Sequence, residues 1–324
     1  MPKRARVADP DGGEDSPSSG SSPEFEDYTR TAAAYDATRR TPALPALLGC
    51  LASGAAPLHE AAVFELGCGS GNYLHKVKAV VRAVTGLDRN AAMLGRCRAK
   101  CAPGETAACK VTLARGEAEA LPFADDTFDA AYACQVFHHF DPTGGHAMAK
   151  RVLRELRRVV STRARAIPTA ACLPKGASTD ASLVRSQLKP GGVLFLNICT
   201  PENTADGLWW SPLIPKATQQ YCARCITPAW LRDAWRAIVV EGQRAARVDE
   251  RADPSQILRK APSLPELQWV THNSELFTDP SFYLDVSGPL QKSWRDTDST
   301  WAMACPDELA SALGGAPLQI SHYM

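Results

Sequence analysis

The sequence predicts an α/β protein: a doubly wound, mostly parallel sheet with helices on both faces, flanked by helical N-terminal and C-terminal segments. Two observations predict it. Short apolar runs alternate with helix-like stretches from residue 60 to residue 198, as strands do when helical crossovers join them. A glycine-rich turn, Gly67-Cys68-Gly69-Ser70-Gly71, follows the first apolar run and leads into a helical stretch.

The elements follow in order. Ala62 to Leu66 is a short apolar run, read as a buried strand that the turn at Gly67–Gly71 ends. RAVTGLD is a second strand ending on Asp88, and Asn90 to Lys100 reads as a helix with Met93, Leu94 and Cys97 at helical spacing. KVTLARGEAEALPF supplies a third strand and its exit loop, and FDAAYACQVFHHF a fourth strand. AMAKRVLRELRRV is amphipathic, with Val152, Leu156 and Val159 on one side and the arginines from Arg151 to Arg158 read as a solvated face. GGVLFLNI is a fifth strand after a Pro-Gly-Gly turn. Ahead of these, EDYTRTAAAYDATRRTPALPALLGCLAS reads as helical segments lying over the sheet.

Whole-chain properties bound the rest. The 324 residues suit one decorated domain, 25–324, with its core at 60–198 and a further region at 199–324. Residues 1–24 are Asp-, Glu-, Ser-, Gly- and Pro-rich with almost no large apolar side chain, so they are read as a disordered tail. A net charge of +1 argues against a dedicated nucleic-acid binder. The 11 cysteines, an odd number with no apolar signal segment before them, are read as reduced thiols. There is no run of about 18 apolar residues. The expectation is a cytoplasmic protein without a membrane partner; Pro2 to Arg6 leaves a nuclear signal as the alternative.

Residues 160–187 form an atypical insertion. Without them the chain would read LRELRRVLKPGGVLFLN, a smooth helix–turn–strand. So long a connection without periodicity is uncommon inside a compact unit. Val160-Ser161 can be encoded GTG-AGT and Gln187 CAG, the usual ends of a spliceosomal intron, and 187 − 160 + 1 = 28 codons preserve the frame. A retained intron and a genuine surface loop both remain open.

The chemistry lies around the turn. A glycine turn opening a helix can hold NAD, FAD, phosphate or S-adenosylmethionine. The glycines here alternate as G-x-G-x-G, and Glu65 stands two residues before the first. A carboxylate there suits a cationic amino group rather than a pyrophosphate. Asp88 ends the second strand, 88 − 67 = 21 residues after Gly67, where a carboxylate can accept both hydroxyls of a ribose. Glu117 ends the third strand and can accept from an adenine amino group; Met93 can pack on an adenine ring.

The motifs ELGCGSGNY, GLD, GEAEALPF, FDAAYACQVFHHF and LKPGGVLFLN resemble, in order and spacing over residues 63–198, the type-11 group of class I S-adenosylmethionine-dependent methyltransferases, whose fold is Rossmann-like. The resemblance implies S-adenosyl-L-methionine as cofactor, with Glu65, Gly67, Gly69 and Gly71 around the methionine moiety. It further implies Asp88 on the ribose, Glu117 and Ala118 on adenine, and Gln135 near the methionine end. Tyr35, in AYDATR, resembles a tyrosine that closes over the sulfonium. YDATRRTPALPALLGCL, PENTADGLWWSPLIP and YLDVSGPLQKSWRDTDSTWAMACPDELASAL resemble the lid and C-terminal segments of one subgroup, whose members usually continue past the point where LQISHYM ends this chain. A C-terminus lacking an edge strand is therefore one expectation.

Trp209-Trp210, with Pro212 and Pro215, follows the fifth strand, where acceptors bind in this fold; an aromatic pocket wall there, joined by Asp296, Asp298 and Trp301, competes with core packing. His138-His139 invites a general-base reading, but similar residues at this place often pack, and packing is preferred. Cys222-x-x-Cys225 offers two of the four ligands that structural zinc needs; Cys97 and Cys101, a helical turn apart, are the other candidates, and no metal is expected. The stretch Ala133-Cys134-Gln135-Val136 lacks the Asn-Pro-Pro-Tyr signature of amide-nitrogen methylation. A small-molecule acceptor attacked at sulfur, oxygen, nitrogen or carbon is the expected partner. A transfer-RNA methyltransferase, a non-catalytic binding protein and a nicotinamide dehydrogenase are the competing readings.

Overall fold

The structure is a computed structural model that describes residues 28–29, 32, 39–102, 109–141, 145–160, 192–206, 208–249, 287–295 and 298–314. The tail at 1–24, Tyr35, the insertion beyond Val160, Asp296 and the final LQISHYM lie outside the described residues.

Five strands form one parallel sheet: β1 (Ala62–Leu66), β2 (Ala83–Asp88), β3 (Lys110–Arg115), β4 (Ala130–Cys134) and β5 (Val193–Asn197), in the order β3-β2-β1-β4-β5. The order runs one way from β1 through β2 to β3 and then jumps back to β4. Loops leaving β1 and β4 therefore diverge and open a crevice at the carboxyl edge between them, where this class of sheet holds ligands. Register places Glu65 beside Gly86 and Tyr132, and Leu66 beside Leu87 and Ala133.

Strand periodicity decides which helix covers which face. Phe64, Leu66, Leu87, Ala131 and Ala133 turn toward α4 (Ala147–Val159) and α7 (Pro228–Asp249); Leu153 and Leu156 of α4 and Ile238 of α7 are buried there. Val63, Val84, Ala130 and Tyr132 turn the other way, onto α1 (Leu44–Ala52), α2 (Leu74–Val77) and α3 (Ala91–Lys100). Each enclosed Val or Leu contributes about 1.5–3 kcal/mol of burial. The five expected strands and the helices at 90–100 and 147–159 stand where the sequence placed them, although α2 is a single turn; of the expected N-terminal helical segments only α1 falls on described residues.

The expected solvated arginine face of α4 is only partly that. Arg151 is exposed, and Arg154 is exposed but bonds Glu241 of α7 at 2.9 Å. Arg158 is half-buried. Its guanidinium pairs with Glu155 through Nε (2.9 Å) and Nη2 (2.6 Å) and donates to the carbonyls of Phe123 (2.7 Å) and Leu121 (3.0 Å). Glu155 in turn accepts the Leu121 N–H at 2.8 Å. The correction has a geometric reason: the last turn of α4 faces the loop that follows β3, and that loop has backbone groups to satisfy. Pairing with Glu155 and Asp125 raises the Arg158 pKa, so the cation that fastens the loop is permanent.

After β5 the chain builds a second, smaller core. The helices α5 (Pro201–Ala205), α6 (Pro215–Arg224), α8 (Lys292–Arg295), α9 (Ser299–Ala302) and α10 (Pro306–Gly314) belong to this region, together with 3₁₀ turns at Ser211–Leu213 and Gly288–Leu290. Trp210, Ile214, Ala217, Trp294 and Trp301 fill it. The indoles meet edge to face, Trp210 to Trp294 at 5.2 Å and Trp294 to Trp301 at 6.1 Å, the arrangement that ring quadrupoles favour. Glu308 of α10 accepts the N–H groups of Lys216 and Ala217, capping α6 from across the module.

Candidate active site

The glycine turn is held by backbone bonds. Cys68 donates its N–H to the Leu87 carbonyl at 3.0 Å, and Gly71 donates to the Cys68 carbonyl at 2.9 Å. Gly67, Gly69 and Gly71 all have positive φ, +65°, +51° and +81°, a region costly for any side-chain-bearing residue. Their surroundings differ. A Cβ on Gly67 would lie 2.4 Å from Val136, and one on Gly71 2.6 Å from the Cys97 sulfur, whereas one on Gly69 would meet nothing within 4 Å. Gly67 and Gly71 are therefore glycines for packing, and Gly69 keeps an open cradle clear above the turn.

Asp88 organises the rim of that cradle. Its Oδ2 accepts the Gly69 N–H at 2.8 Å and its Oδ1 the Asn90 N–H at 2.8 Å. Burial pushes its carboxyl up, against the lowering effect of those two N–H donors. Asn90 then caps α3 by accepting the Met93 N–H at 3.0 Å. Met93 is buried beneath that first turn. Glu117 is exposed beyond β3, with its carboxylate 3.9 Å from Arg89, and Ala118 beside it packs on the main core. Thus Asp88, Glu117 and Ala118 follow the ends of the adjacent strands β2 and β3, and the glycine turn follows β1.

Glu65 is enclosed under the turn. It is 3% exposed, and its Oε2 accepts the Tyr132 hydroxyl at 2.9 Å. Burial pushes its carboxyl well above the usual carboxylate range, and the Asp88 carboxylate adds to the rise, while the Tyr132 bond opposes it. A cationic group brought close to this carboxylate would offset those effects.

Gln135 sits at the carboxyl end of β4 with φ +57°, in the left-handed region unusual for a side chain of its size. Both ends of its amide are engaged: Nε2 donates to Asn197 Oδ1 at 2.7 Å, and Oε1 accepts from the Cys199 thiol at 2.8 Å. Strained backbone of this kind collects at functional sites. The residue thus ties the ends of β4 and β5 together, beside the turn that follows β1.

The expected acceptor wall needs correcting. Trp210 is fully enclosed and Trp301 is 2% exposed, both packed within the tryptophan core. Burying apolar area that nothing else covers is what places them there. Trp209 is half-buried against Trp210 at 5.6 Å. Asp298 is buried and caps α9, accepting the N–H groups of Thr300 and Trp301 at 2.9 and 3.2 Å. Burial raises its carboxyl and nearby Arg39 lowers it. The cysteines have local roles: Cys222 donates to the Pro201 carbonyl and Cys225 to the Tyr221 carbonyl, each at 3.4 Å, and Cys97 and Cys101 are packed in the core by α3. Among the described residues no group of three His, Cys, Asp or Glu is placed to hold a metal ion.

Several side chains missed by sequence reasoning gather at this edge: Tyr28, Cys199 and Tyr221. Tyr28 reaches His139, Tyr221 lies 5.1 Å from the His138 ring, and Cys199 holds Gln135. No periodicity or motif marks them, because each comes from a different segment.

Residues 64–167 match the family of methyltransferase domains of type 11. No curated protein matches the chain. Among solved structures, the chain is similar to YcgJ of Bacillus subtilis (19% identity over 60% of this chain and 67% of that one, TM-score 0.40). It is also similar to an S-adenosylmethionine-dependent methyltransferase of Mesorhizobium loti (22%, 52% and 58%, TM-score 0.34). A third is a methyltransferase of an antibiotic biosynthesis pathway in Anabaena variabilis (15%, 84% and 82%, TM-score 0.47). The chain spans 49% to 67% of the length of YcgJ, of the Mesorhizobium enzyme and of two similar structures from Pyrococcus horikoshii and Bacillus halodurans. Residues 64–167 thus belong to a class I methyltransferase domain of the type-11 group, whose cofactor is S-adenosyl-L-methionine.

Proposed function

We propose that the protein transfers the methyl group of S-adenosylmethionine to a small-molecule acceptor at the carboxyl edge of β1 and β4. The observation that carries this reading is the Asp88–Gly69 bond under an open cradle: the carboxylate fixes the turn while the Cβ position of Gly69 stays empty. Asp88 would hold the ribose hydroxyls, Glu117 and Ala118 with Met93 the adenine, and Glu65 with the turn and Gln135 the methionine end. Tyr35 would close over the sulfonium. The cofactor supplies an already activated methyl group, so the chain's own work is to bind, orient and exclude water. The open edge beside His139 and Trp209 would receive the acceptor. No described helix is long and apolar enough to cross a membrane.

The test is calorimetric titration with S-adenosylhomocysteine, with NADH as control. Micromolar binding of the homocysteine product and none of NADH is expected; the reverse pattern would move the protein to the dehydrogenases. Glu65 adds a second readout. A ligand ammonium beside it favours the carboxylate, so binding should release a proton at neutral pH, seen as a buffer-dependent heat, and Glu65→Gln should abolish that release.

A further inference from the structure

Three segments far apart in the chain meet at one imidazole. The Tyr28 hydroxyl lies 3.1 Å from His139 Nε2, 111 residues away, and 3.5 Å from the Ser299 hydroxyl, 271 residues away. The phenol ring stands edge-on to the imidazole, with centroids 5.7 Å apart at 89°. His139 closes the 3₁₀ turn Phe137–His139, four residues after the strained Gln135. The pair thus stands at the edge of β4, whose neighbour β1 carries the glycine turn. Its two neighbours in sequence, His138 and Phe140, are buried, whereas His139 keeps partial access.

We propose that Tyr28 and His139 are the proton-accepting pair that activates the methyl acceptor, with Ser299 positioning the phenol. The inference rests on the methyltransferase reading and deepens it: the acceptor is then one whose nucleophilic atom must lose a proton, a hydroxyl, thiol or amine. With Nδ1 carrying the imidazole proton, Nε2 accepts from Tyr28. As the acceptor's lone pair bonds to the methyl carbon and the carbon–sulfur bond leaves its electrons on sulfur, Tyr28 takes the acceptor's proton. Its own proton passes to His139 Nε2, and the imidazolium then releases a proton to water.

The surroundings keep the imidazole in its accepting form. Burial, with the charges of Arg224 on α6 and Arg89 after β2, holds His139 down to about 4. Behind it His138, also pushed down, packs on Tyr221 and feels Arg224 and Arg39. The nearby carboxylate, Asp298, is turned to the α9 N-terminus and Arg39.

The experiment uses the full chain with S-adenosylhomocysteine bound, as wild type, Tyr28→Phe, His139→Asn and Ser299→Ala. All four should bind the product within about threefold of one another; a folded wild type that does not bind it defeats the methyltransferase reading itself, separately from this proposal. Histidine-labelled NMR should show His139 neutral at pH 7, with an Nε2 signal that moves in Tyr28→Phe. Labelled methyl transfer to a panel of small alcohols, thiols and amines should fall about 100-fold or more in Tyr28→Phe and His139→Asn, and less in Ser299→Ala. Its acid limb should vanish in His139→Asn. A cationic His139 at pH 7, a signal indifferent to Tyr28→Phe, or unchanged transfer rates would each overturn the proposal. Where no panel member is methylated, the NMR result decides it.

Discussion

The edge at β1 and β2 and the edge at β4 and β5 do neighbouring jobs with different materials. The first is built of backbone: three positive-φ glycines within five residues, fixed by one carboxylate 19 residues on. The second is built of side chains from remote places, with Tyr28, His139 and Ser299 separated by up to 271 residues. A backbone site takes its shape from local conformation and tolerates few residues. A side-chain site takes its shape from packing of whole segments and admits variation. The first suits a cofactor that does not change; the second suits an acceptor that differs from one protein to the next.

Substitutions at the turn test the first half of that contrast most severely. Gly71→Ala would force a Cβ to 2.6 Å from the Cys97 sulfur at φ +81° and should cost about 3 kcal/mol of stability, read by denaturant unfolding. Gly69→Ala meets no protein atom but still bears a positive φ of +51°, so it should lose about 1–2 kcal/mol, less than Gly71→Ala, while product binding is lost. If both variants fold alike and bind alike, the cradle is not where Gly69 opens.

Asp88→Ala removes the acceptor of two N–H bonds and should weaken S-adenosylhomocysteine about 10- to 100-fold by calorimetry. Tyr28→Phe, in contrast, should leave that affinity alone.

Arg158→Ala releases the loop after β3 and should lower stability by about 1–2 kcal/mol, the value of partly screened charge-assisted bonds. The loss should appear in thermal unfolding, and the affinity for the product should fall less than in Asp88→Ala.

The smallest effect concerns pH and belongs to the second edge. His139 titrates near 4 when folded and near 6.5 when unfolded. Between those values the unfolded chain binds more protons, so stability is full above about 6.5 and declines as pH falls toward 4. The half-buried ring should contribute on the order of 1 kcal/mol to that slope, and His139→Asn should flatten it by that amount in urea melts.

Legibility followed the same division. Asp88, Glu65 and the turn could be read because a G-x-G-x-G turn between an apolar run and a helix has few conformational solutions. The parallel, doubly wound sheet could be read because alternating strand and helix leaves few topologies. Arg158 could not: on an amphipathic helix it looks like its solvated neighbours, and only the position of the β3 exit loop makes it a clamp. Trp210 and Trp301 could not either, since a tryptophan at a pocket wall and one in a core have the same sequence signature.

By itself, then, the sequence determined the alternation of strands and helices, the glycine turn after the first strand and the carboxylates at the strand ends. These depend on residues within about one element of each other, through periodicity, glycine's access to positive φ and hydrogen bonds of short reach. Only the tertiary structure decided that Gly69 faces open space while Gly67 and Gly71 face side chains, that the tryptophans make a core, and that Tyr28 meets His139. Those outcomes depend on how separate segments pack, and packing joins residues whose distance along the chain carries no signal.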